Sequence, residues 1–262
     1  MCDVWSFGAS ALPLVMTAIH AGHDLRPELA ERMAIDHDTR LREEDPFTER
    51  VTRAGGLPVA VYRSRFEVDL NRPRDRCVYI TPEESWGLDV WREPLTEDQV
   101  EHSRRLHDAF YSLLAGILDD LAAQGRFVVL DIHSYNHRRD GADAPPAPPA
   151  DNPEVNIGTG SLDRDRWGEV VDRYMEHLRD QVVDGHRLDA RENVVFEGGY
   201  LSQWVHERYP EQGCALAVEL KKVFMDEWTG VPDDRHLDEL TAAFEASVPL
   251  LLGDLACQAA TS

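Results

Sequence analysis

Lysine is nearly missing from this chain. Lys221 and Lys222 are the only two, and the remaining strongly basic residues are all arginine. A lysine nucleophile is therefore excluded everywhere but at that pair. Cysteine is scarce as well. Cys2, Cys77, Cys214 and Cys257 lie far apart with no CxxC pair, so neither a zinc knuckle nor a disulfide framework is expected. The N-terminal segment has Asp3 and no basic stretch before its short apolar run, and so does not read as a secretory signal. Uninterrupted apolar runs fall well short of the roughly 20 residues that span a bilayer. A soluble, cytoplasmic protein is expected. Positive charge is in deficit: a net charge of -22 would repel nucleic acid and an anionic membrane, which argues against both as partners. HExxH and GxSxG are absent, and "GTGSLD" at Gly158 has Asp163 where a dinucleotide loop needs its third glycine.

What is present suits one large α/β domain spanning 1–262, with 42% hydrophobic and 29% charged residues. "LVMTAIH" (14–20) reads as a strand, "HDLRPELAERMA" as a turn and helix, and a second strand begins after Gly55-Gly56. Thr96 and Gln99 form a capping box at the start of a long helix. Its stripe of Leu106, Phe110, Leu113, Leu114, Ile117, Leu118 and Leu121 keeps helical spacing as far as Gly125. The strand 127–132 follows at once and is apolar on both faces, as in a parallel sheet covered on each side. The Pro-rich stretch 143–153 is expected as a stiff loop within the domain. Beyond it the pattern predicts a helix over 165–184, a strand over 193–197, a short helix near 200–208, a strand over 214–220 and a helix near 235–257. Alternation of this kind implies a three-layer α/β/α sandwich with a mixed, mostly parallel sheet.

Ligands in such sheets bind beyond the carboxyl ends of the strands. Two predicted strands end in histidine, at His20 and at His133, which has Asp131 two residues before it. A third strand, "ALAVEL", carries Glu219 among apolar neighbours. Imidazoles and carboxylates are ligands for zinc, and an unliganded carboxylate nearby is what deprotonating a water requires. Burial raises the proton affinity of Glu219 and fits it to that role. The alternative for Glu219 is an ion pair with Arg65 or Arg72. Cys214, in the same strand, reads as packing.

Several segments also carry a resemblance. "LDIHSY" is similar to the strand that delivers the last zinc-binding histidine in zinc carboxypeptidases. "RFEVDLNR" (65–72) resembles the substrate-binding segment of aspartoacylases and succinylglutamate desuccinylases. Within that superfamily the chain most resembles the N-formylglutamate amidohydrolase family through "HAGH", "REEDPFT", "VDLNRP", "LDIHSYNHRR", "EGGY" and "LAVEL", which occur in that order over about 14–225.

The resemblance implies one divalent metal, zinc, held by His20, His133 and a carboxylate. It makes Glu219 the general base, and assigns Asn71 and Arg72 to a substrate carboxylate and Arg65 to the scissile carbonyl. Arg138 and Arg139 stand where a second carboxylate could be met, or else form a solvated basic loop; Arg63 is a further candidate for the same arginine cluster. One departure stands out. The superfamily takes its carboxylate ligand three residues after the first histidine, where this chain has His23. The acidic segment offers Asp45 instead, with Glu44 and His23 as alternates, unless it is a solvated acidic turn. The implied activity is cleavage of the amide of a small, anionic N-acyl amino acid such as N-formylglutamate. A carboxypeptidase-like peptidase and a non-catalytic metal- or ligand-binding protein are the rival readings. Oligomeric state is left open.

Overall fold

The structure, a computed structural model, describes residues 3–259. Its strands are β1 (Trp5–Phe7), β2 (Leu14–Ala18), β3 (Leu57–Val61), β4 (Phe127–Tyr135), β5 (Val155–Gly158), β6 (Val182–Val183), β7 (His186–Arg187), β8 (Ala190–Glu192) and β9 (Gly213–Lys221). The helices are α1 (Pro27–Ala30), α2 (His37–Glu43), α3 (Thr48–Val51), α4 (Glu97–Gln124), α5 (Arg164–Asp180), α6 (Tyr200–Arg208) and α7 (Asp234–Ala259). Seven strands form one sheet in the order β1-β3-β2-β4-β9-β5-β8. The central four, β3, β2, β4 and β9, are mutually parallel; β1 and β5 join them antiparallel, and β8 runs parallel to β5.

The pleat of β4 sorts its side chains between two cores. Val128, Leu130 and Ile132 pack with Trp167 and Tyr174 of α5 and with Leu237 and Phe244 of α7. Phe127 and Val129 face Phe110, Leu114 and Leu118 of α4 and Leu201 and Val205 of α6. This is the expected three-layer α/β/α sandwich. Helix α7 is long and apolar enough to pass for a membrane span by length and composition. Its residues Leu237, Phe244 and Leu251 are fully buried within this protein and form a core-facing stripe.

The long helix α4 begins as predicted: Thr96 Oγ1 accepts from Gln99 N, and Gln99 Oε1 accepts from Thr96 N. Its stripe needs one correction. Leu113 is exposed, while His107 and Tyr111 are buried beside Phe110. The helix predicted over 165–184 stops at Asp180, because Asp184 and Gly185 both take positive φ and close the two-residue hairpin between β6 and β7. The segment 193–197 is not a strand. Asn193 sits at φ 52, and the Asn156 side chain replaces a ladder: its Oδ1 accepts from Val194 N and Val195 N, and its Nδ2 donates to Phe196 O. The strand in this region is β8, three residues earlier. The Pro-rich stretch is irregular apart from a 3-10 turn over Pro149–Asp151. Cys77 and Cys214 are buried; Cys2 lies outside the described residues.

Gly22 shows why "HAGH" needs its glycine. A Cβ there would lie 2.1 Å from the Tyr62 carbonyl carbon, where the two backbones run side by side as a parallel bridge. Gly116, in α4, has open space around it. Gly22→Ala should therefore lower the unfolding free energy by about 1–3 kcal/mol, and Gly116→Ala should raise it by about 0.5–1 kcal/mol. Urea denaturation of the two variants checks both signs.

Candidate active site

The carboxyl ends of β2, β4 and β9 meet in one place. His20 follows β2 by two residues, His133 lies in β4, and Glu219 of β9 is its direct neighbour in the parallel register. The two imidazoles meet edge to face with centroids 4.8 Å apart. Asp45 is brought between them by the turn after α2, where Asp45 N donates to His20 O at 2.9 Å and Phe47 takes φ 70. Its Oδ2 lies 3.0 Å from His133 Nδ1 and 3.4 Å from His20 Nδ1. Ser134 Oγ donates to the other oxygen at 3.1 Å, which orients the carboxylate. The acidic segment is thus no solvated turn: Glu44 and Asp45 are both buried.

The outward nitrogens explain Asp131. Residues two apart share a face of an extended strand, and Asp131 Oδ2 stands 2.8 Å from His133 Nε2. Thr17, opposite Asp131 on β2, donates to its other oxygen at 2.5 Å. His20 Nε2 is matched in the same way by Asp69 Oδ1 at 2.8 Å. A carboxylate behind each Nε2 favours the tautomer that leaves a lone pair on Nδ1. The His20 Nδ1 lone pair is buried with no hydrogen-bond partner. His20, Asp45 and His133 offer donor atoms within 4.8 Å of one another, and two imidazole nitrogens with a carboxylate oxygen are a donor set that suits zinc. The residues fit a divalent metal.

The electrostatics follow from the same contacts. Burial would raise the Asp45 carboxyl, but the two imidazoles beside it, His133 foremost and then His20, outweigh it and hold its pKa well below the ordinary range. Burial would lower His133, and Asp131 and Asp45 reverse that and push it well up. Glu219 moves the other way. Burial raises it to about 7, with the negative charges of Asp45 and Asp131 adding to the effect and His133 opposing it. The ion-pair alternative for Glu219 is not what forms, since Arg65 and Arg72 both turn to Asp69.

Above these groups lies a cavity of about 570 Å³, lined by His20, Asp45, His133 and Glu219 together with Asn71, Ser134 and Phe196. Its cationic side chains are Arg42, Arg65, Arg139 and Lys222. Arg65 Nε donates to Tyr79 OH at 3.0 Å and Nη2 to Asp69 at 2.9 Å. Burial opposes its charge, but Tyr79, Asp69 and Asp45 together raise its pKa, and it stays cationic. Asn71 holds the start of α6, its Oδ1 accepting from Leu201 N at 3.1 Å. That contact explains the glycine pair in "EGGY". Gly198 takes φ 116, and a Cβ on Gly199 would lie 2.3 Å from the Asn71 amide.

Several expected site residues are placed elsewhere. His23 accepts from Arg40 Nη2 at 2.6 Å and pairs through Nδ1 with Glu44, so neither alternate ligand reaches the histidine pair. Glu44 is further held by the Ser64 hydroxyl. Arg72 stacks on Tyr79, donates to Glu84 O at 2.6 Å and lines an adjoining cavity that shares Asn71 and Gly198 with the first. Arg138 turns to Asp226 at 3.5 Å, and Arg63 lies beside Glu67 at 3.9 Å. Of the five arginines expected to cluster, Arg65 and Arg139 line the main cavity.

Other residues were not foreseen. Asp69 is the hub that orients His20, Arg65 and the backbone N–H of Asn71; an acid alternating with buried Val68 and Leu70 was its signal. Lys222 Nζ donates to the carbonyls of Arg42 at 2.5 Å and Glu44 at 2.7 Å, pinning the segment that carries Asp45. Burial lowers its pKa even though Asp45 and Glu43 oppose the shift.

Comparison with known proteins gives the chain's family and fold. A profile of the family described as N-formylglutamate amidohydrolase matches residues 12–225. The chain is 27% identical over 272 residues to the N-formylglutamate deformylase of Pseudomonas aeruginosa, covering 93% of each protein. Among solved structures, the N-formylglutamate amidohydrolase of Ralstonia eutropha JMP134 has the same fold, with TM-score 0.71, 17% identity, and 96% and 98% of the two chains covered. A gene product of Agrobacterium tumefaciens follows with TM-score 0.65, 17% identity, and coverage of 98% and 96%. The matched span contains all six sequence segments, and those segments supply His20, Asp45, Asn71, His133 and Glu219 of the cavity: the chain belongs to the N-formylglutamate amidohydrolase family.

Proposed function

We infer that this protein is a zinc-dependent amidohydrolase acting on small N-acyl acidic amino acids, with N-formylglutamate as the leading substrate. The observation that carries this reading is Glu219 beside His133 in register, facing a buried His20–Asp45–His133 donor set within a cavity lined by four cationic side chains. His20 and His133, through Nδ1, and Asp45, through Oδ2, would hold the metal. A divalent metal there supplies Lewis acidity and a water of lowered pKa.

The chain's own groups do the rest. Glu219, with its raised proton affinity, takes a proton from the attacking water as the oxygen bonds to the acyl carbon. Arg65, fixed by Tyr79 and Asp69, donates to the carbonyl oxygen as negative charge develops on it. When the C–N bond breaks, Glu219 returns the proton to the leaving amine, and formate and the free amino acid remain. Arg139 and Arg42 lie on the cavity wall, where Asn71 supplies a neutral donor, so a substrate carboxylate meets charge in a chain that is otherwise strongly acidic. Arg72, in the adjoining cavity, is assigned no carboxylate in this reading. Formyl as the acyl group is supported by the names of the relatives.

The direct test is release of formate from N-formyl-L-glutamate and N-formyl-L-alanine, with the glutamate substrate expected to have the higher kcat/KM. Glu219→Gln keeps shape and removes the base, so it should retain metal while turnover falls roughly 100-fold or more. Turnover near that of the parent would remove Glu219 from the mechanism. A peptidase reading would show instead as cleavage of peptides in preference to N-formyl amino acids.

The ligand assignment has its own test. Asp45→Ala should lose bound zinc in elemental analysis after dialysis, and His23→Ala should keep it, because His23 is engaged by Arg40 and Glu44. The reverse order of losses would move the metal to the His23 side.

A further inference from the structure

One residue at the cavity wall has a backbone that its side chain does not favour. Trp86 ends the 3-10 turn Pro82–Ser85 in the left-handed region, at φ 56 and ψ 27, and is 56% exposed. A large aromatic residue there is disfavoured both by the backbone conformation and by the apolar surface left in water. The turn does not need it. Thr81 and Glu84 cap the turn reciprocally, Gly87 N closes it onto Pro82 O at 2.7 Å, and Asn or Gly at position 86 would make the same bend with less strain.

The ring faces the group the mechanism uses. The Arg65 guanidinium carbon lies 4.8 Å from its centroid, and Tyr79, which accepts from Arg65 Nε, is 5.7 Å from the same ring. Tyr79 and Asp69 grip Arg65 along its edges, while Trp86 covers a face that the open cavity would otherwise leave to water. We propose that Trp86 is a positioning residue for Arg65: its strained turn keeps an aromatic plate on the guanidinium, which holds the cation dry and fixed for an oxyanion. This rests on the role given to Arg65 above. Stability alone does not call for a tryptophan at an exposed left-handed position, and backbone strain of this kind clusters at functional sites.

The experiment compares Trp86→Asn and Trp86→Phe with the parent, in the full-length, zinc-loaded protein. Trp86→Asn should keep its zinc and melt at or above the parent's Tm. Its kcat for N-formylglutamate should fall roughly 3- to 30-fold, the range expected for loss of a cation–aromatic contact. Trp86→Phe should stay near the parent. Glutarate supplies a readout besides turnover, since its carboxylate can meet the same guanidinium. Calorimetry should show its affinity weakened by a similar factor in Trp86→Asn, and no further weakening when that change is added to Arg65→Ala. The proposal is overturned by a lower Tm accompanying the loss of activity, by unchanged kcat and glutarate affinity, by an equal loss in the Arg65→Ala background, or by a parent that does not bind glutarate. A parent that binds glutarate but hydrolyses no N-formyl amino acid would sink the amidohydrolase reading alone, and the glutarate comparison would still decide the role of Trp86.

Discussion

The carboxylates at the outer nitrogens of the two histidines govern everything else in the site. With Asp69 at Nε2 of His20 and Asp131 at Nε2 of His133, both rings are turned so that Nδ1 points at Asp45. Buried charges without partners cost several kcal/mol each, so this volume must balance its acids against its bases. Asp69 is balanced by Arg65 and His20, Asp131 by Thr17 and His133, and Asp45 by the histidines and Ser134. The buried atom of these groups left without a hydrogen bond is His20 Nδ1, whose lone pair faces Asp45. A divalent cation would meet that atom and the converging Asp45 oxygen together, and a cation bound only by the folded chain would also add to its stability by mass action.

The same balance shapes the cavity. A chain of net charge -22 presents a repulsive surface to an anion. Arg42, Arg65, Arg139 and Lys222 on the cavity wall offset that repulsion locally. Lys222 does so from a buried position, with Nζ committed to the carbonyls of Arg42 and Glu44. It therefore acts on the segment that delivers Asp45, and Arg42 leads into that segment with its guanidinium over the Trp228 ring at 4.0 Å. Charge and ligand placement are coupled through one short stretch of chain.

Much of this was legible before the fold was known. His20, His133 and Glu219 showed themselves because ligands bind beyond the carboxyl ends of such strands, and two strand-end histidines with a carboxylate interrupting a third apolar strand point to one shared site, where a single histidine would not. Their mutual register was not legible, since the pairing of His133 with Glu219 joins strands 86 residues apart in number, 219 against 133. Asp45 was reachable only through the resemblance: it sits in a turn with no periodicity. Which way a loop arginine faces cannot be read from its neighbours, so Arg138 and Arg139 looked alike and then diverged toward Asp226 and the cavity. The strand expected over 193–197 failed because a side chain from β5, Asn156, takes the backbone groups that a ladder would have used. The Asp184-Gly185 hairpin was signalled in the sequence, but helical periodicity carried the prediction past it.

The His20–Asp45–His133 assignment stands or falls on where a bound metal sits. The most direct measurement is diffraction from crystals of the zinc-loaded protein on either side of the zinc absorption edge. It should show one anomalous peak, about 2.0–2.1 Å from Nδ1 of both His20 and His133 and about 2.0–2.2 Å from an Asp45 oxygen, with Asp69 and Asp131 still at the two Nε2 atoms. A peak on the Nε2 side of either ring, or one held by His23 and Glu44, would contradict it.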